Sequence, residues 1–416
     1  MLKTLYILLV CYMPILDKYM PATNFGHGIP DIDFMRLTSY LLIIVFLFES
    51  AVIKQTRIYS KWIGFLSIFS LVVLSSVSWS NYSYTFTVIN AISDNVVLPL
   101  IIAIIALNLF AKSEDNINAY IKNIIICSFI LSLISMYQML SSGALGGLSS
   151  GSIATLPDEG RSAGTFGNPN VLAIFLVLTI PCVIYAIEKQ MMPRIFGWVL
   201  SACLAGGIIC TVSRKGMATG VLAFGLYYFL KRKYKKVVAV GIVVAIMTVF
   251  ISGYAIISGR FSIDRLNSVF TGKKYMTYAG LQMYKTSPLI GLGYNGYYDN
   301  FGRYFPWSIR NKYDAHNIFI TALANYGAIG FIPFLGIFLY PLYYSKKIVR
   351  QSRILNNTGN LCDMAIICIS SVIPFMISGW FAGGLFYSFS VIIVLYTNIA
   401  LVFAVGQHSS NGEETE

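Results

Sequence analysis

The sequence predicts an all-α, polytopic membrane protein of about twelve transmembrane helices, with one loop domain outside the helical bundle. Of its 416 residues, 56% are hydrophobic and only 11% are charged, whereas soluble proteins carry roughly a quarter charged residues. Apolar runs long enough to cross a bilayer recur along nearly the whole chain, which excludes a soluble domain with one buried helix. The first run follows Lys3 and lacks a small-residue cleavage site, so it is interpreted as an uncleaved helix.

Twelve apolar runs are the predicted spans, and they divide the chain into four parts. The spans are 4–20, 38–53, 62–80, 88–111, 121–140, 171–187, 196–213, 217–230, 237–257, 317–344, 364–380 and 382–406. Residues 1–257 then form one part of a transmembrane bundle, with about nine spans, and residues 316–406 form the other, with about three. Residues 258–315 form the loop domain between them, and residues 407–416 form a tail.

The distribution of lysine and arginine sets the predicted orientation. With the N-terminus in the cytoplasm, the inner segments carry 17 basic residues and the short outer segments carry 5. Because short cytoplasmic loops are enriched in Lys and Arg, both termini are predicted to be cytoplasmic and the loop domain to lie outside. The basic residues behind the net charge of +13 mostly flank apolar runs. They therefore indicate topology and anionic lipid rather than nucleic acid.

The segment 161–170, RSAGTFGNPN, opens the sixth span and has the composition of an anion site. Asn168 or Asn170 can cap a helix whose N-terminal N–H groups point outward. Two glycines let a ligand approach the backbone closely. Arg161 adds positive charge at a helix N-terminus, where anions bind readily. A glycine-rich turn followed by an ordinary helix cap explains the same residues equally well.

The segment SRKG at 213–216 lies inside an apolar stretch that runs from 196 to 230. It predicts a helical hairpin with its outer turn at Arg214 and Lys215. Charges so close to the hydrocarbon are costly, face protein or water, and are candidates for function. The alternative is that both side chains extend to lipid phosphate, as they do at many span ends. The functional interpretation is favoured more for Arg214 than for Lys215.

The segment DAHN at 314–317 opens the tenth span at the outer surface. His316 is one of three histidines in the chain, and a neutral imidazole at a helix start can act as a base. Asp314 is close enough in sequence to orient the imidazole or to serve as the base itself. The alternative is an interfacial histidine with an ordinary polar partner, which is favoured for a histidine considered alone.

The loop domain is basic, although a long translocated loop has no topological reason to be so. An anionic ligand is one explanation. Its segment SPLIGLGYNGY at 287–297 predicts a tight turn, and the nearby tyrosines suit either an interfacial aromatic belt or stacking on sugar rings. In the first outer loop, Asp31 and Asp33 have a spacing that can hold a divalent metal, but two solvated carboxylates are the favoured interpretation.

Taken in order, these motifs resemble the O-antigen ligase/polymerase family of bacterial membrane glycosyltransferases. The motifs are RSAGTFGNPNVLA (161–173), SRKG (213–216), SPLIGLGYNGY (287–297) and HNIFITALANYGAIG (316–330). The resemblance implies a C-type helical bundle in the bacterial inner membrane and an inverting transferase that works at the periplasmic face. It implies an undecaprenyl-pyrophosphate-linked oligosaccharide as donor, with neither metal nor cofactor. It also implies a chain-length regulator protein and a flippase as partners.

The resemblance assigns residues as well. Family arginines near the outer surface grip the pyrophosphate; Arg214 is the best match and Arg161 a further one, and the family histidine corresponds to His316. Many members have an arginine after glycine, shortly before the helix that leads to PLxGxG, where this chain has Lys273. Lysine keeps the charge but loses the bidentate fork. Either Lys273 substitutes for that arginine, or one of two other loop residues, Arg260 and Arg265, reaches the phosphate.

The predicted site therefore has two groups of residues. The catalytic group is His316, Asp314 and Arg214. The group that binds the pyrophosphate or the glycan is Arg161, Asn168, Asn170, Lys215, Arg260, Arg265, Lys273 and Asn317. We expect an O-antigen polymerase, with an O-antigen ligase, a capsule or exopolysaccharide polymerase, and a lipid-linked oligosaccharide flippase as alternatives. A flippase is disfavoured because the spans are nearly free of charge away from their ends.

Overall fold

The computed structural model describes residues 1–16, 34–53, 60–82, 85–141, 161–238, 263–305, 313–355, 359–382 and 388–413. The described residues include the fourteen helices named below, and none of the described residues lies in a strand. Nearly all of the predicted span 237–257 lies outside the described residues, as do Asp31, Asp33 and Arg260. Of Arg265, the structure describes the helical backbone and not the side chain.

The helices follow the predicted spans closely. They are α1 (Leu2–Leu16), α2 (Phe34–Ile53), α3 (Lys61–Ser75), α4 (Phe86–Ile92), α5 (Leu98–Phe110), α6 (Glu114–Ser141), α7 (Pro169–Glu188), α8 (Arg194–Cys210), α9 (Arg214–Leu230), α10 (Ile263–Thr286), α11 (Gly296–Tyr304), α12 (Ile318–Ile354), α13 (Asn360–Trp380) and α14 (Phe389–Glu413). A single π-helical turn, Ser93–Val97, joins α4 to α5.

Eight stretches of helix within the described residues are long and apolar enough to cross a membrane. Two shorter apolar helices are α1 and α8. The prediction of an all-α protein with many membrane-length helices is therefore confirmed for this part of the chain. The count of about twelve spans remains a prediction, as do the domain boundaries. The stretch predicted as a loop domain contains two helices, α10 and α11.

Helices α7, α13 and α14 form the centre of the bundle, whereas α2 lies at its edge. In the membrane-length windows of α7 and α14, 83% of residues are buried, compared with 28% in α2. Asn398 of α14 links these helices: its amide nitrogen donates to the carbonyl of Leu178 (2.9 Å) and to the hydroxyl of Ser371 (3.0 Å). Its oxygen accepts from the phenol of Tyr120 (2.8 Å). Polar contacts of this kind fix helix packing inside membranes.

Helix α12 is broken at Gly327, where φ is +57° and ψ is −161°. The break frees two carbonyls and two N–H groups, and the segment 288–293 satisfies all four. Leu292 and Gly293 donate to the carbonyls of Ala324 and Asn325 (2.9 and 2.8 Å). On the other side of the break, Ala328 and Ile329 donate to the carbonyls of Pro288 and Leu289 (2.8 and 3.0 Å).

The break requires glycine in both segments, because the backbone of α12 and the backbone of 288–293 pass very close to each other. A Cβ added at Gly327 would lie 2.4 Å from the backbone of Leu289, and one at Gly291 would lie 2.4 Å from that of Asn325. The glycines of the third and fourth motifs therefore have a structural role. They fix the loop that carries α11 against the start of α12.

Helices α7, α9 and α12 all begin at one end of the bundle, where α13 finishes. We call it the motif end, because RSAGTFGNPN, SRKG and DAHN meet there. The other end, where α7, α9 and α12 finish and α13 begins, is the opposite end. Contacts between Ile318 and Gly379 at the motif end, and between Arg353 and the carbonyl of Leu230 at the opposite end (3.0 Å), establish this arrangement.

Candidate functional site

Asn170 joins the two turns at which α7 and α9 begin. Its side-chain oxygen accepts hydrogen bonds from the guanidinium of Arg161 (3.1 Å) and from the hydroxyl of Ser213 (2.9 Å). Arg161 also donates to the carbonyl of Thr211 (3.1 Å). Of the two asparagines predicted as alternative caps, Asn168 caps α7 by accepting from the N–H of Asn170 (2.9 Å). Asn170 instead holds Arg161 beside the start of α9.

Gln138 of α6 fixes the turn 161–167 and was not predicted from the sequence. Its oxygen accepts from the hydroxyl of Ser162 and from the N–H of Gly164, both at 2.8 Å, and its nitrogen donates to the carbonyl of Gly164 (3.0 Å). The side chain is buried. An uncharged amide in an apolar span is a weak signal, but a polar group there needs a partner inside the protein. In the structure, the turn 161–167 provides that partner.

The predicted hairpin between α8 and α9 is present, and its turn places Arg214 and Lys215 in the first turn of α9. Ser213 caps α9, because its hydroxyl accepts from the N–H of Gly216 (3.2 Å). Gly216 lets α9 start against α7: a Cβ there would lie 2.5 Å from the Cβ of Ala173. The two basic residues are therefore held next to the RSAGTFGNPN turn.

Lys215 and Lys273 both contact Phe381, the residue after α13. Lys215 Nζ donates to the carbonyl of Phe381 (3.3 Å), and Lys273 Nζ lies 4.7 Å from the centre of its ring. Lys273 is thus one of the basic residues at the motif end, although it belongs to α10. Phe381 was not predicted as a site residue. We call Arg161, Arg214, Lys215 and Lys273 the cation cluster.

Burial and neighbouring positive charge lower the pKa of three members of the cation cluster. Burial, and then the charge of Arg214, lowers the pKa of Arg161 and that of Lys273. Lys215 lies two residues before the predicted span 217–230. Its pKa is lowered to about 8, mainly by burial and then by the positive charges of Lys273 and Arg161. An anion placed among these residues would stabilise their charged forms.

Asp314 and His316 adjoin the cation cluster. The charge of Asp314 acts on Lys215 and opposes the lowering of its pKa. His316 Nδ1 lies 3.8 Å from Asp314 Oδ2, which is longer than a hydrogen bond. The side chain of His316 is 54% exposed and that of Asp314 is 34% exposed. Both groups are therefore open to a ligand at the motif end.

Asn317 is the N-cap of α12, and its oxygen is fully used in that role. It accepts from the N–H groups of Phe319 (2.9 Å) and Ile320 (3.2 Å), and its side chain is buried. The preceding residue, His316, has a φ of +49°, a conformation that is uncommon for residues other than glycine and asparagine. The cap and this turn fix where the imidazole emerges from the backbone.

The fold and the site define a class: a helical membrane protein that holds a cation cluster beside a solvent-accessible carboxylate and imidazole at one end of its bundle. Residues 199–335 match the family model described as O-Antigen ligase. This segment includes α9, α10, α11, the break in α12 and three members of the cation cluster. The resemblance to the O-antigen ligase/polymerase family is therefore confirmed for this part of the chain.

A curated relative is the exopolysaccharide production protein ExoQ of Rhizobium meliloti (strain 1021). It is 29% identical over 143 residues, which make up 32% of this chain and 32% of that protein. The similarity thus spans about a third of the length of the relative. It connects the chain to a protein whose name refers to exopolysaccharide rather than to O-antigen.

Proposed function

We propose that this protein is an O-antigen polymerase of the bacterial inner membrane. It joins oligosaccharide repeats carried on undecaprenyl pyrophosphate at the periplasmic face by inverting glycosyl transfer. The observation that carries the proposal is the meeting of four cations with Asp314 and His316 at one end of the bundle. Pyrophosphate is the leaving group of such a transfer, and positive groups fixed around it stabilise the charge that develops as it leaves.

Each residue of the site has a role in this proposal. Arg214, Arg161, Lys215 and Lys273 bind the pyrophosphate. His316, oriented by Asp314, positions or deprotonates the acceptor hydroxyl. That hydroxyl attacks the anomeric carbon from the face opposite the pyrophosphate. The bond to the pyrophosphate breaks with its electron pair, and the configuration inverts.

Two alternatives are supported by the comparisons. The description of the matching family model favours a ligase that transfers a finished glycan to lipid A–core. The name of the curated relative favours an exopolysaccharide polymerase. All three activities use a lipid-linked glycan donor, and they differ in the acceptor. The cation cluster serves the same purpose in each, so the choice depends on the product in the cell.

The test is deletion of the gene in its host, followed by gel separation of lipopolysaccharide and assay of secreted polysaccharide. A lipid A–core that carries a single repeat supports the polymerase. Bare core with accumulated lipid-linked polymer indicates the ligase, and loss of secreted polysaccharide alone indicates an exopolysaccharide polymerase. If neither product changes, the proposal fails.

Complementation of the deletion strain with single variants tests the roles of individual residues. We expect His316→Ala to restore the protein in the membrane but not the polymer, whereas wild-type chain lengths with this variant would contradict the role of His316 as base. Arg350→Ala serves as the matched control, because Arg350 is exposed on α12 at the opposite end.

A further inference from the structure

A second basic surface lies between α10 and α11, next to the cation cluster. It is a groove of about 530 Å³, within the range of roughly 300–1,000 Å³ that small-molecule pockets occupy. Three cations line it, Lys274, Lys285 and Arg303, together with three tyrosines, Tyr275, Tyr278 and Tyr304. None of the described residues that line the groove is acidic.

The two walls of the groove are fixed to each other. The phenol of Tyr297 in α11 donates to the carbonyl of Met276 in α10 (2.8 Å). The hydroxyls of Thr286 and Tyr304 share a hydrogen bond at 3.2 Å. On the α10 side, the lining residues at 274, 278, 282 and 285 recur at the spacing of one helix face. The groove therefore exists before any ligand binds.

The chemistry of the groove combines two features. Tyrosine rings offer flat apolar faces with a polar edge, which suits contact with sugar rings and their hydroxyls. Lysine and arginine side chains bind carboxylate or phosphate oxygens through charge-assisted hydrogen bonds. Among the described lining residues no acidic group offsets the three cations, so an acidic sugar matches both features, whereas a neutral sugar matches only the tyrosines.

The groove and the cation cluster share helix α10. Lys273 of the cluster contacts Phe381, and Lys274, the next residue of α10, lines the groove. From 274 to 286 the helix rises about 18 Å, at 1.5 Å per residue. A glycan whose reacting end lies at the cluster has the length of this groove available to it.

We propose that this groove binds an acidic oligosaccharide, in which a uronic acid or a phosphate substituent faces Lys274, Lys285 and Arg303. The inference rests on the proposed function, and it specifies the substrate as an anionic repeat. The ligand is the glycan itself and not its pyrophosphate.

The experiment measures binding of a galacturonic acid tetrasaccharide to the full-length protein in nanodiscs of neutral lipid. The carboxyl-reduced tetrasaccharide serves as a neutral probe of the same length. We expect the acidic probe to bind at least about tenfold more tightly, and more weakly as salt rises. The double variant Lys285→Gln/Arg303→Gln should lose this preference and bind both probes equally. Equal binding of both probes to the wild-type protein would overturn the proposal.

Two controls separate this proposal from others. Lys346→Gln/Lys347→Gln makes the same change in net charge at the opposite end, where both lysines are exposed, and should bind the acidic probe as the wild type does. If Arg214→Ala abolished the preference for the acidic probe while the groove was intact, the probe would be bound at the cation cluster and the proposal would be overturned. Normal probe binding without glycan transfer in cells would refute the proposed function alone. Loss of probe binding when phosphatidylglycerol is added to the nanodiscs would identify the groove as a lipid headgroup site and overturn the proposal.

Discussion

The motif end and the opposite end of the bundle both hold several basic residues, but the acidic groups described beside them differ. At the opposite end, buried Asp363 pairs with Lys189 (3.0 Å) and with Lys231, and Glu188 pairs with Lys233 (2.5 Å). At the motif end, four cations lie together, and Asp314 is the acidic group described near them. The two ends therefore differ in the balance of described charges: two carboxylates pair with three lysines at the opposite end, whereas one carboxylate lies near four basic side chains at the motif end.

The strongest test of this contrast is Arg214→Ala. We expect glycan transfer to fall about 10²–10³-fold, as when one group that stabilises transition-state charge is removed. The thermal unfolding temperature of the purified protein is measured in parallel, so that a loss of transfer can be separated from a loss of folding. Assay of polymer formation beside a thermal melt checks both outcomes. If Arg214→Ala lowers the unfolding temperature but the folded variant transfers glycan at the wild-type rate, the role of Arg214 is structural.

At the opposite end, Lys231→Met should lower the stability of the protein rather than its rate of glycan transfer. Asp363, only 1% exposed, loses a charge-assisted hydrogen bond, so we expect a loss of about 1.5–3 kcal/mol in unfolding free energy. Adding Asp363→Asn should recover part of it, because the buried charge is then gone. Thermal or denaturant unfolding of the single and double variants measures this. Full stability of Lys231→Met would mean that Lys189 alone is a sufficient partner.

The pH dependence of donor binding sharpens the comparison further. The free cluster has Lys215 with a pKa lowered to about 8, and a bound anion raises that pKa. Binding is therefore unaffected below pH 8 and weakens as the pH rises above it, by up to about tenfold near pH 9. The KM for the lipid-linked donor at pH 7 and pH 9 tests this.

Lys215→Arg is the control for that measurement, because arginine keeps its charge over this range. The alkaline rise in KM should be smaller in this variant than in the wild type. An equal rise in both would assign the titration to another group of the site.

The smallest expected effects come from substituting Asn170 and Asn168, two asparagines at the start of α7 that serve as matched controls for each other. Asn170→Ala removes the oxygen that accepts from Arg161 and Ser213, so we expect a severalfold rise in donor KM, which corresponds to about 1 kcal/mol. Asn168→Ala removes only the cap of α7 and should cost about 1 kcal/mol in stability, with KM unchanged. Equal effects of the two variants on KM would remove the positioning role of Asn170.

Many of the helices could be predicted, because the length of each apolar run and the charges at its ends determine where a membrane-length helix begins and ends. The helix bounds match the predicted spans within a few residues at α3 and α13. The largest difference is at α12, predicted to end at 344 and observed to continue to Ile354. Lys346, Lys347 and Arg350 end the apolar run there, yet Ile348 and Val349 remain buried. An amphipathic helix therefore extends past the predicted end of the span.

The sequence signal for a candidate site residue is strongest where a charge interrupts an apolar run. Arg214 has that signal, and α9 and α12 place it at the same end of the bundle as His316. Gln138 and Phe381 have none, because an amide or an aromatic residue within or beside a span is ordinary in composition. Their roles depend on partners far away in sequence. Lys273 was one of three alternatives, and contact with Phe381, rather than its local sequence, places it in the cluster.

The break at Gly327 has a consequence for how α12 and the preceding loop depend on each other. Four backbone groups around the break pair with 288–293, so the bent form of α12 depends on a segment that precedes it in the chain. A straight helix through Gly327 would give up those four hydrogen bonds and displace the loop that carries α11. The bend and the loop therefore form one cooperative unit.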